Sequence, residues 1–231
     1  MRVVGFVVGV AICAPAFAQT PHAATSASSA SPAPASPSNA ASVVAGVQAF
    51  YDRVTDFEAQ FSQVSTTAIS GTRRNAAGTV RFQRGGRMRW DYTTPAGDVI
   101  VSDGQTVQTY EAASGQLTRT PAAQMGIANA FAFLVGGARI ANEFNARLLF
   151  DHTAAYPSGF VIELRPRSPH PSIDHLVLYV DGSTYQVTKA SIVDAQRNTN
   201  AITFLPPRVN QHMDASVFHW TAPPNAQLVH P

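Results

Sequence analysis

The chain has 231 residues, 16 basic and 14 acidic side chains, a formal charge of only +2 and a single cysteine, Cys13. This near balance of charge argues against nucleic acid as a partner, because binding a phosphate backbone requires a strongly basic surface. One cysteine forms no internal disulfide, so the protein must depend on a hydrophobic core, for which the length is sufficient.

The first residues have the pattern of a secretory signal peptide. Arg2 precedes a short apolar run, and Ala16-Phe17-Ala18 forms an A-x-A cleavage site. The run is too short for a membrane span, so we expect export and cleavage after Ala18. Residues 19–41 are almost wholly Ala, Ser, Pro and Thr, which predicts a disordered linker before one folded domain at 42–231.

An amphipathic helix is predicted at the start of the domain, with Ser42 as its N-cap. Its apolar residues recur at helical spacing and form one stripe, consisting of Val43, Val47, Phe50, Tyr51 and Val54. Such a stripe must lie on another apolar surface. Residues 57–63 then alternate between apolar and polar side chains, as a half-buried strand does.

Residues 78–93 predict a β-hairpin with two chemically different faces. One parity carries Val80, Phe82 and Arg84 before Gly85-Gly86, and then Met88, Trp90 and Tyr92 after it. The other parity carries charge, at Arg81, Arg87, Arg89 and Asp91. Side chains alternate across a strand, and paired glycines supply the positive φ of a tight turn. Arg84 is therefore the one charge on the apolar face.

The rest of the chain predicts a mainly β protein. Strands at 98–102 and 105–111, joined at Asp103-Gly104, complete a five-strand meander, and Thr120-Pro121 is typical of a helix start. That helix would run to Gly136-Gly137, followed by a helical turn at 138–144. Further strands are predicted at 146–151, 159–165, 173–181, 184–194, 200–205 and 215–220. About eleven strands favour an incomplete, open antiparallel barrel with helices at its mouth.

Catalytic and cofactor motifs are absent from the sequence. There is no G-x-S-x-G elbow, P-loop or G-x-G-x-x-G, and the seven histidines show no HExxH or other close ligand spacing. Asp98 and Asp103 flank a strand, but the turn with Gly104 explains Asp103. We therefore predict a protein that is not an enzyme and that uses no metal or cofactor.

Four segments together resemble the LolA family, the periplasmic carriers that move lipoproteins from the inner to the outer membrane of Gram-negative bacteria. Val54 to Gln63 is similar to the family's opening segment, and Gly78 to Trp90 to its G…R…W hairpin. Val101 to Gly104 with Tyr110 is similar to its S-D-G…Y segment, and Phe218 to Pro224 to its closing strand. The resemblance covers about residues 43–222.

The resemblance implies a half-barrel with a helical lid and an apolar cavity that takes lipoprotein acyl chains. The family's functional arginine falls on Arg84, which would act as a latch by bonding backbone carbonyls of the lid. We expect the cavity to be lined by Val80, Phe82, Met88, Trp90, Tyr92, Ile100, Phe131, Phe133 and Leu134. The implied protein is a monomer in the periplasm. Its partners would be lipoproteins, an inner-membrane ABC lipoprotein exporter and an outer-membrane lipoprotein acceptor.

Alternatives remain open at this point. Arg84 fits equally a strand end with its guanidinium in water, and the buried aromatics fit ordinary core packing. The chain departs from the family at Gln108 and Thr109, where an aromatic is usual before the tyrosine, and at Gly85, where proline is usual. A carrier of free lipid or glycolipid would use the same cavity, and an envelope lipid hydrolase is a third hypothesis.

Overall fold

Thirteen strands join into one sheet in the computed structural model, which describes residues 39–122, 138–149, 156, 159–170 and 172–229. The first six strands are β1 (Asp56–Thr66), β2 (Arg73–Gln83), β3 (Arg87–Thr94), β4 (Ala96–Asp103), β5 (Thr106–Glu111) and β6 (Gln116–Pro121). The remainder are β7 (Phe144–Leu148), β8 (Gly159–Pro166), β9 (His175–Asp181), β10 (Val187–Val193), β11 (Thr199–Phe204), β12 (Arg208–Val209) and β13 (Gln227–Val229). Two α-helices are described, α1 (Ala40–Tyr51) and α2 (Ile140–Glu143), with a 3-10 turn at Ala215–Phe218.

Strand β1 joins two antiparallel meanders. The strand order is β13-β6-β5-β4-β3-β2-β1-β11-β10-β9-β8-β7, with β12 also paired to β1. Phe61 of β1 lies opposite Gly78 on one side and Phe204 on the other. Neighbours along this path are antiparallel except β13 and β6, which are parallel. The predicted class, a mainly β fold with one open sheet, is confirmed, and the short parallel pair is an addition to it.

The inner face, defined here as the face of the sheet that α1 covers, holds the main core. The apolar parities of both meanders point to it, so one cluster runs from Met88 and Trp90 of β3 to Ile162 and Leu164 of β8. Val43, Val47 and Tyr51 of α1 are buried against this cluster, which confirms most of the predicted helical stripe. Val54 is buried as well, but it follows the helix.

The start of α1 differs from the sequence prediction. Asn39 is the N-cap, since its Oδ1 accepts a hydrogen bond from the Ser42 backbone N–H at 2.9 Å. Ser42 therefore lies inside the first turn, and the folded region begins earlier than residue 42. Within the described residues, no helix is long and apolar enough to span a bilayer.

Two predicted elements were wrong. Thr120 and Pro121 end strand β6, where they lie opposite Val107 and Thr106 of β5, and do not begin a helix there. Residues 123–137, which hold the rest of that predicted helix, lie outside the described residues. The predicted strand at 215–220 is instead the 3-10 turn, in which Asp214 Oδ1 accepts from the Ser216 N–H at 2.8 Å. Its apolar side chains pack on a sheet face and so need no neighbouring strand.

The outer face of β2 to β4 carries the predicted charges. Arg81 bonds Glu58 and Asp91 at 2.7 Å each, and Arg89 pairs with Asp91 at 2.9 Å. Beside them lies a small outer cluster, formed by Val101, Tyr110, Leu117, Phe218 and Trp220. The segment after β12 therefore covers the outer face of this meander.

Candidate functional site

A ladder of aromatic rings crosses the inner face where β1, β2 and β3 meet. The register places Phe57 opposite Phe82, and Val80 opposite Trp90. The Phe61 ring contacts Trp90 edge-on at a centroid distance of 4.8 Å, and Phe82 contacts Trp90 at 5.8 Å. Such edge-to-face pairs add to the energy of apolar burial. The ladder is thus a stable apolar wall.

The structure brings six of the nine predicted cavity residues onto this wall. Val80, Phe82, Met88 and Trp90 are at most 4% exposed, and all belong to the main core. Tyr92 and Ile100 are partly buried and pack against the same cluster. Phe131, Phe133 and Leu134 lie outside the described residues. The four most buried residues therefore contact other side chains of the core.

Helix α1 packs on the same inner face, against β7, β8 and β10, and carries no charged residue. Tyr51, in its last turn, is 1% exposed, and its hydroxyl accepts a hydrogen bond from the Val187 N–H of β10 at 3.2 Å. Burial raises the pKa of Tyr51 far above its ordinary value, so the hydroxyl is neutral at physiological pH. On this side, helix α1 therefore contributes apolar contacts and a buried hydrogen bond between the Tyr51 hydroxyl and β10.

A groove of about 660 Å³ runs along the other side of α1. Val44, Ala45 and Gln48 of the helix form one wall, and Phe144 and Ala146 of β7 form the opposite wall. This volume falls in the range of ordinary ligand pockets, roughly 300–1,000 Å³. Space for an apolar group is thus available next to the covering helix.

Arg84 connects the β2–β3 turn to the chain that leaves α1. Its Nε donates to the Val54 carbonyl at 2.8 Å, and Nη2 donates to the carbonyl of Asp52. Its own backbone N–H donates to the Thr55 carbonyl at 3.0 Å. β2 ends at Gln83, so Arg84 is exposed at the strand end and yet is bonded to main-chain carbonyls. The described partners of Arg84 are thus carbonyls of residues 52–55, and most of the predicted lid helix lies outside the described residues.

Sequence reasoning missed Gln48, which bonds α1 to α2. The Ile140 N–H donates to Gln48 Oε1 at 3.0 Å in a buried bond, and Gln48 Nε2 donates to Asp52 Oδ1 at 3.0 Å. Asp52 also forms an exposed ion pair with Arg139 at 3.5 Å. The sequence pattern that could have identified Gln48 is its position on a largely apolar helix, one turn after Val44 and one turn before Asp52.

Asp56 and Asn210 fix the position of the backbone segment that Arg84 contacts. Asp56 is 3% exposed, and its carboxylate accepts from the Gln211 and His212 N–H groups at 2.7 and 3.1 Å. Asn210 Oδ1 accepts from the Thr55 N–H at 2.7 Å. These bonds fix the backbone on which the Val54 carbonyl is presented to Arg84.

Tyr92 is the titratable group at the end of the ladder. Burial, reinforced by the negative charge of Asp98, raises the pKa of Tyr92 to about 12. Its hydroxyl lies 3.3 Å from Gln63 Oε1, to which it donates. In the described part of the chain, no group of three or more His, Cys, Asp or Glu side chains is arranged to hold a metal ion.

The chain is similar in sequence to known proteins. The family model described as outer membrane lipoprotein carrier protein LolA matches residues 52–221. The outer-membrane lipoprotein carrier protein of Methylobacillus flagellatus is 29% identical over 187 residues, which cover 80% of this chain and 88% of that protein. That of Methylibium petroleiphilum is 26% identical over 183 residues, covering 79% and 87%.

A solved structure, an uncharacterized conserved protein from Thermus thermophilus, superimposes with a TM-score of 0.51 at 15% identity. The match covers 83% of this chain and 99% of that one, and at this identity it shows a shared fold alone. The family match includes β1 to β5, the Arg84 turn and the segment that Arg84 bonds. The chain therefore belongs to the LolA family of outer membrane lipoprotein carrier proteins.

Proposed function

We propose that this protein is a periplasmic carrier that binds the acyl chains of lipoproteins released from the inner membrane and delivers them to the outer membrane. The observation that carries the proposal is the inner face, a continuous apolar wall on which a helix without charge packs along β7, β8 and β10. The names of the relatives support the same class of cargo. The chemistry is binding and release, without catalysis or a cofactor.

Loading requires α1 to exchange places with an acyl chain. The contacts that Val43, Val47 and Tyr51 make with the inner face are apolar, apart from the Tyr51 hydroxyl. An acyl chain offers the same kind of contact, so the hydrophobic gain of the closed form is largely recovered in the loaded form. The groove between α1 and β7 offers a first place for the chain to enter.

Arg84 acts as the latch of the closed form in this proposal. Within the described residues it bonds carbonyls and no carboxylate, at an exposed position. Water can replace exposed hydrogen bonds at small net cost, so the latch biases the equilibrium toward closure without preventing opening. A guanidinium suits this role because it has five donors and stays charged.

The driving force would come from a partner. The sequence contains no P-loop, so an inner-membrane ABC lipoprotein exporter would supply the energy for loading. An outer-membrane lipoprotein acceptor would then take the cargo from a carrier that favours its closed form. The carrier itself would work as a monomer.

The test is to incubate the purified chain, from residue 19 onward, with spheroplasts of a Gram-negative bacterium. We expect an outer-membrane lipoprotein in the supernatant, in a soluble one-to-one complex detected by gel filtration and mass spectrometry. Free lipid or glycolipid in the complex without lipoprotein would favour a lipid carrier on the same fold. An empty protein in the supernatant would contradict both.

A matched pair of variants tests the latch. Arg84→Leu is expected to load at least as well as the parent chain and to release cargo more slowly to an acceptor, because the closed form has lost two hydrogen bonds. Arg87→Leu is the control, since Arg87 lies across the same turn and bonds the Gln83 side chain at 3.2 Å rather than the chain that leaves α1. Normal release by Arg84→Leu would refute the latch while leaving the carrier function intact.

A further inference from the structure

The tip of the β1–β2 hairpin lies at the far end of the sheet from Arg84. The two strands pair from Asp56 and Gln83 to Thr66 and Arg73, a distance of roughly 35 Å along β1. Residues 67–75 are all exposed, and Ile69 within the turn is 93% exposed. A single exposed apolar residue is common and indicates little by itself. The inference depends on what surrounds it.

The backbone of the tip is ordered by hydrogen bonds. The Thr67 N–H donates to the Thr72 carbonyl at 2.9 Å, and the Gly71 N–H donates to the Thr67 carbonyl at 2.8 Å. The Ala68 N–H donates to Asn198 Oδ1 of the β10–β11 turn at 3.0 Å. Ile69 is therefore presented on a turn with several of its polar backbone groups already bonded, which lowers the cost of bringing it to a water-poor interface.

Three arginines surround this tip. Arg73 and Arg74 follow the turn on β2, and Arg197 lies beside Asn198 in the β10–β11 turn. All three are exposed, and within the described residues none is in an ion pair. The chain has no acidic residue from 59 to 80.

The nearest carboxylate in the neighbouring turn is already bonded. Asp194 accepts from the Gln196 N–H at 2.9 Å and from the Asn198 N–H and Nδ2 at 2.8 Å each. Its charge still lies close to Arg197, so the tip keeps an excess of positive charge chiefly through Arg73 and Arg74.

We propose that this tip docks on a lipid surface that carries anionic headgroups. Ile69 enters the interface while the arginines bind headgroup phosphates, for which the guanidinium fork is well shaped. The docking concerns where the protein meets a membrane and is independent of what the inner face carries. It would orient the chain with the Arg84 end away from the lipid.

Vesicle flotation tests the proposal without any cargo. The chain from residue 19 onward is mixed with vesicles of phosphatidylglycerol and phosphatidylethanolamine, or with vesicles of phosphatidylcholine alone. We expect binding to the anionic vesicles only, weakened by salt. Ile69→Ser, and the double change Arg73→Gln with Arg74→Gln, should each reduce partitioning on the order of tenfold.

Matched control variants distinguish docking through the tip from nonspecific adsorption to the vesicles. Leu205→Ser changes a side chain that is 51% exposed elsewhere, and Arg119→Gln with Arg208→Gln removes two exposed charges away from the tip. Both should leave partitioning unchanged. A chain with Ile69→Cys and no other thiol allows one environment-sensitive fluorophore, which should report a less polar surrounding when anionic vesicles are added.

No binding to anionic vesicles would overturn the proposal. Equal losses in the tip and control variants would do so as well, because they would indicate a diffuse charge effect. Since no lipoprotein is present, these outcomes leave the proposed carrier function untouched. Conversely, a carrier that fails with spheroplasts can still dock on vesicles through its tip.

Discussion

The inner and outer faces of the sheet both bury aromatic side chains, but the segments that pack on the two faces differ. The inner face is covered by α1, which has no charge and only a few polar ties. The outer face is covered by the segment after β12, which is hydrogen-bonded to the strands beneath it. Arg89 Nη1 donates to the Val217 carbonyl at 2.8 Å, and Gln83 Nε2 donates to the Met213 carbonyl at 2.7 Å.

The difference shows which cover suits exchange. Apolar contacts are non-directional, so another apolar group can take the place of α1 with little loss. Hydrogen bonds from fixed strand side chains are directional, and an acyl chain cannot replace them. The inner cover therefore suits a ligand-dependent movement, and the outer cover suits a permanent role.

The largest expected effect contrasts Phe82→Ala on the inner face with Phe218→Ala on the outer face, since both residues are 2% exposed. Phe82→Ala should lower the free energy of unfolding by about 3–5 kcal/mol, because it opens a cavity in the main core. Phe218→Ala should cost less, because Phe218 lies outside the main core, in the small outer cluster. Urea denaturation measures both. Equal losses would mean that the outer segment is as integral to the fold as the inner wall.

Gln48→Ala should lower the free energy of unfolding by about 1–3 kcal/mol, because it leaves the buried Ile140 N–H without its acceptor. Hydrogen exchange at Ile140 should accelerate in this variant. Gln108→Ala is the control on the outer parity, where the side chain accepts from Arg119 at 3.4 Å. Unchanged exchange at Ile140 would show that α1 and α2 are joined by other contacts.

The polar groups at the two faces should respond differently to salt. Arg81→Gln removes a network at side chains about a quarter exposed, and should cost about 1 kcal/mol at low salt and less at high salt. The loss on Arg84→Gln should be nearly independent of salt, because Arg84 bonds neutral carbonyls. Thermal unfolding over a salt series compares the two. If the loss of stability decreases equally in both variants as the salt concentration is raised, the predicted difference between Arg81 and Arg84 is wrong.

A further effect is confined to alkaline pH. Burial raises the pKa of Tyr92 from 10.0 to about 12, so folding favours its neutral form. The resulting stabilisation is fully present below pH 10 and is lost as the pH rises from about 10 to about 12. Tyr92→Phe should therefore lose less stability over this interval than the parent chain. An identical alkaline loss in both would show that Tyr92 titrates normally.

Local patterns predicted which side chains lie on the inner face of β2 and β3. The alternation that placed Phe82 and Trp90 on one face and Arg81 on the other depends only on the two-residue period of a strand, and the structure confirms it. Gly85 and Gly86 have φ of 89° and 78°, as a tight turn requires. Arg84 was identified because it broke the pattern, although its partners were not visible in it.

Some local sequence patterns are compatible with two structures, and contacts with distant parts of the chain determine which one forms. A Thr-Pro pair suits either a helix start or the end of a strand, and pairing with β5 placed Thr120 and Pro121 in a strand. Residues 215–220 alternate between polar and apolar side chains as a strand does. The side chains of Phe218 and Trp220 nevertheless pack on a sheet face, and the segment is not paired as a strand. The parallel pair of β13 with β6 likewise joins segments that are distant in sequence.

The amino-acid sequence by itself determined the strand periods, the sharp turns and the apolar composition of the inner wall, because these depend on residues close in the chain. Only the tertiary structure decided which backbone groups Arg84 and Gln48 bond. Ile140 is 92 residues from Gln48, and Val54 is 30 residues from Arg84. Hydrogen bonds between such positions exist only after the sheet has formed, because the register of β1 on β2 brings the end of α1 beside the turn.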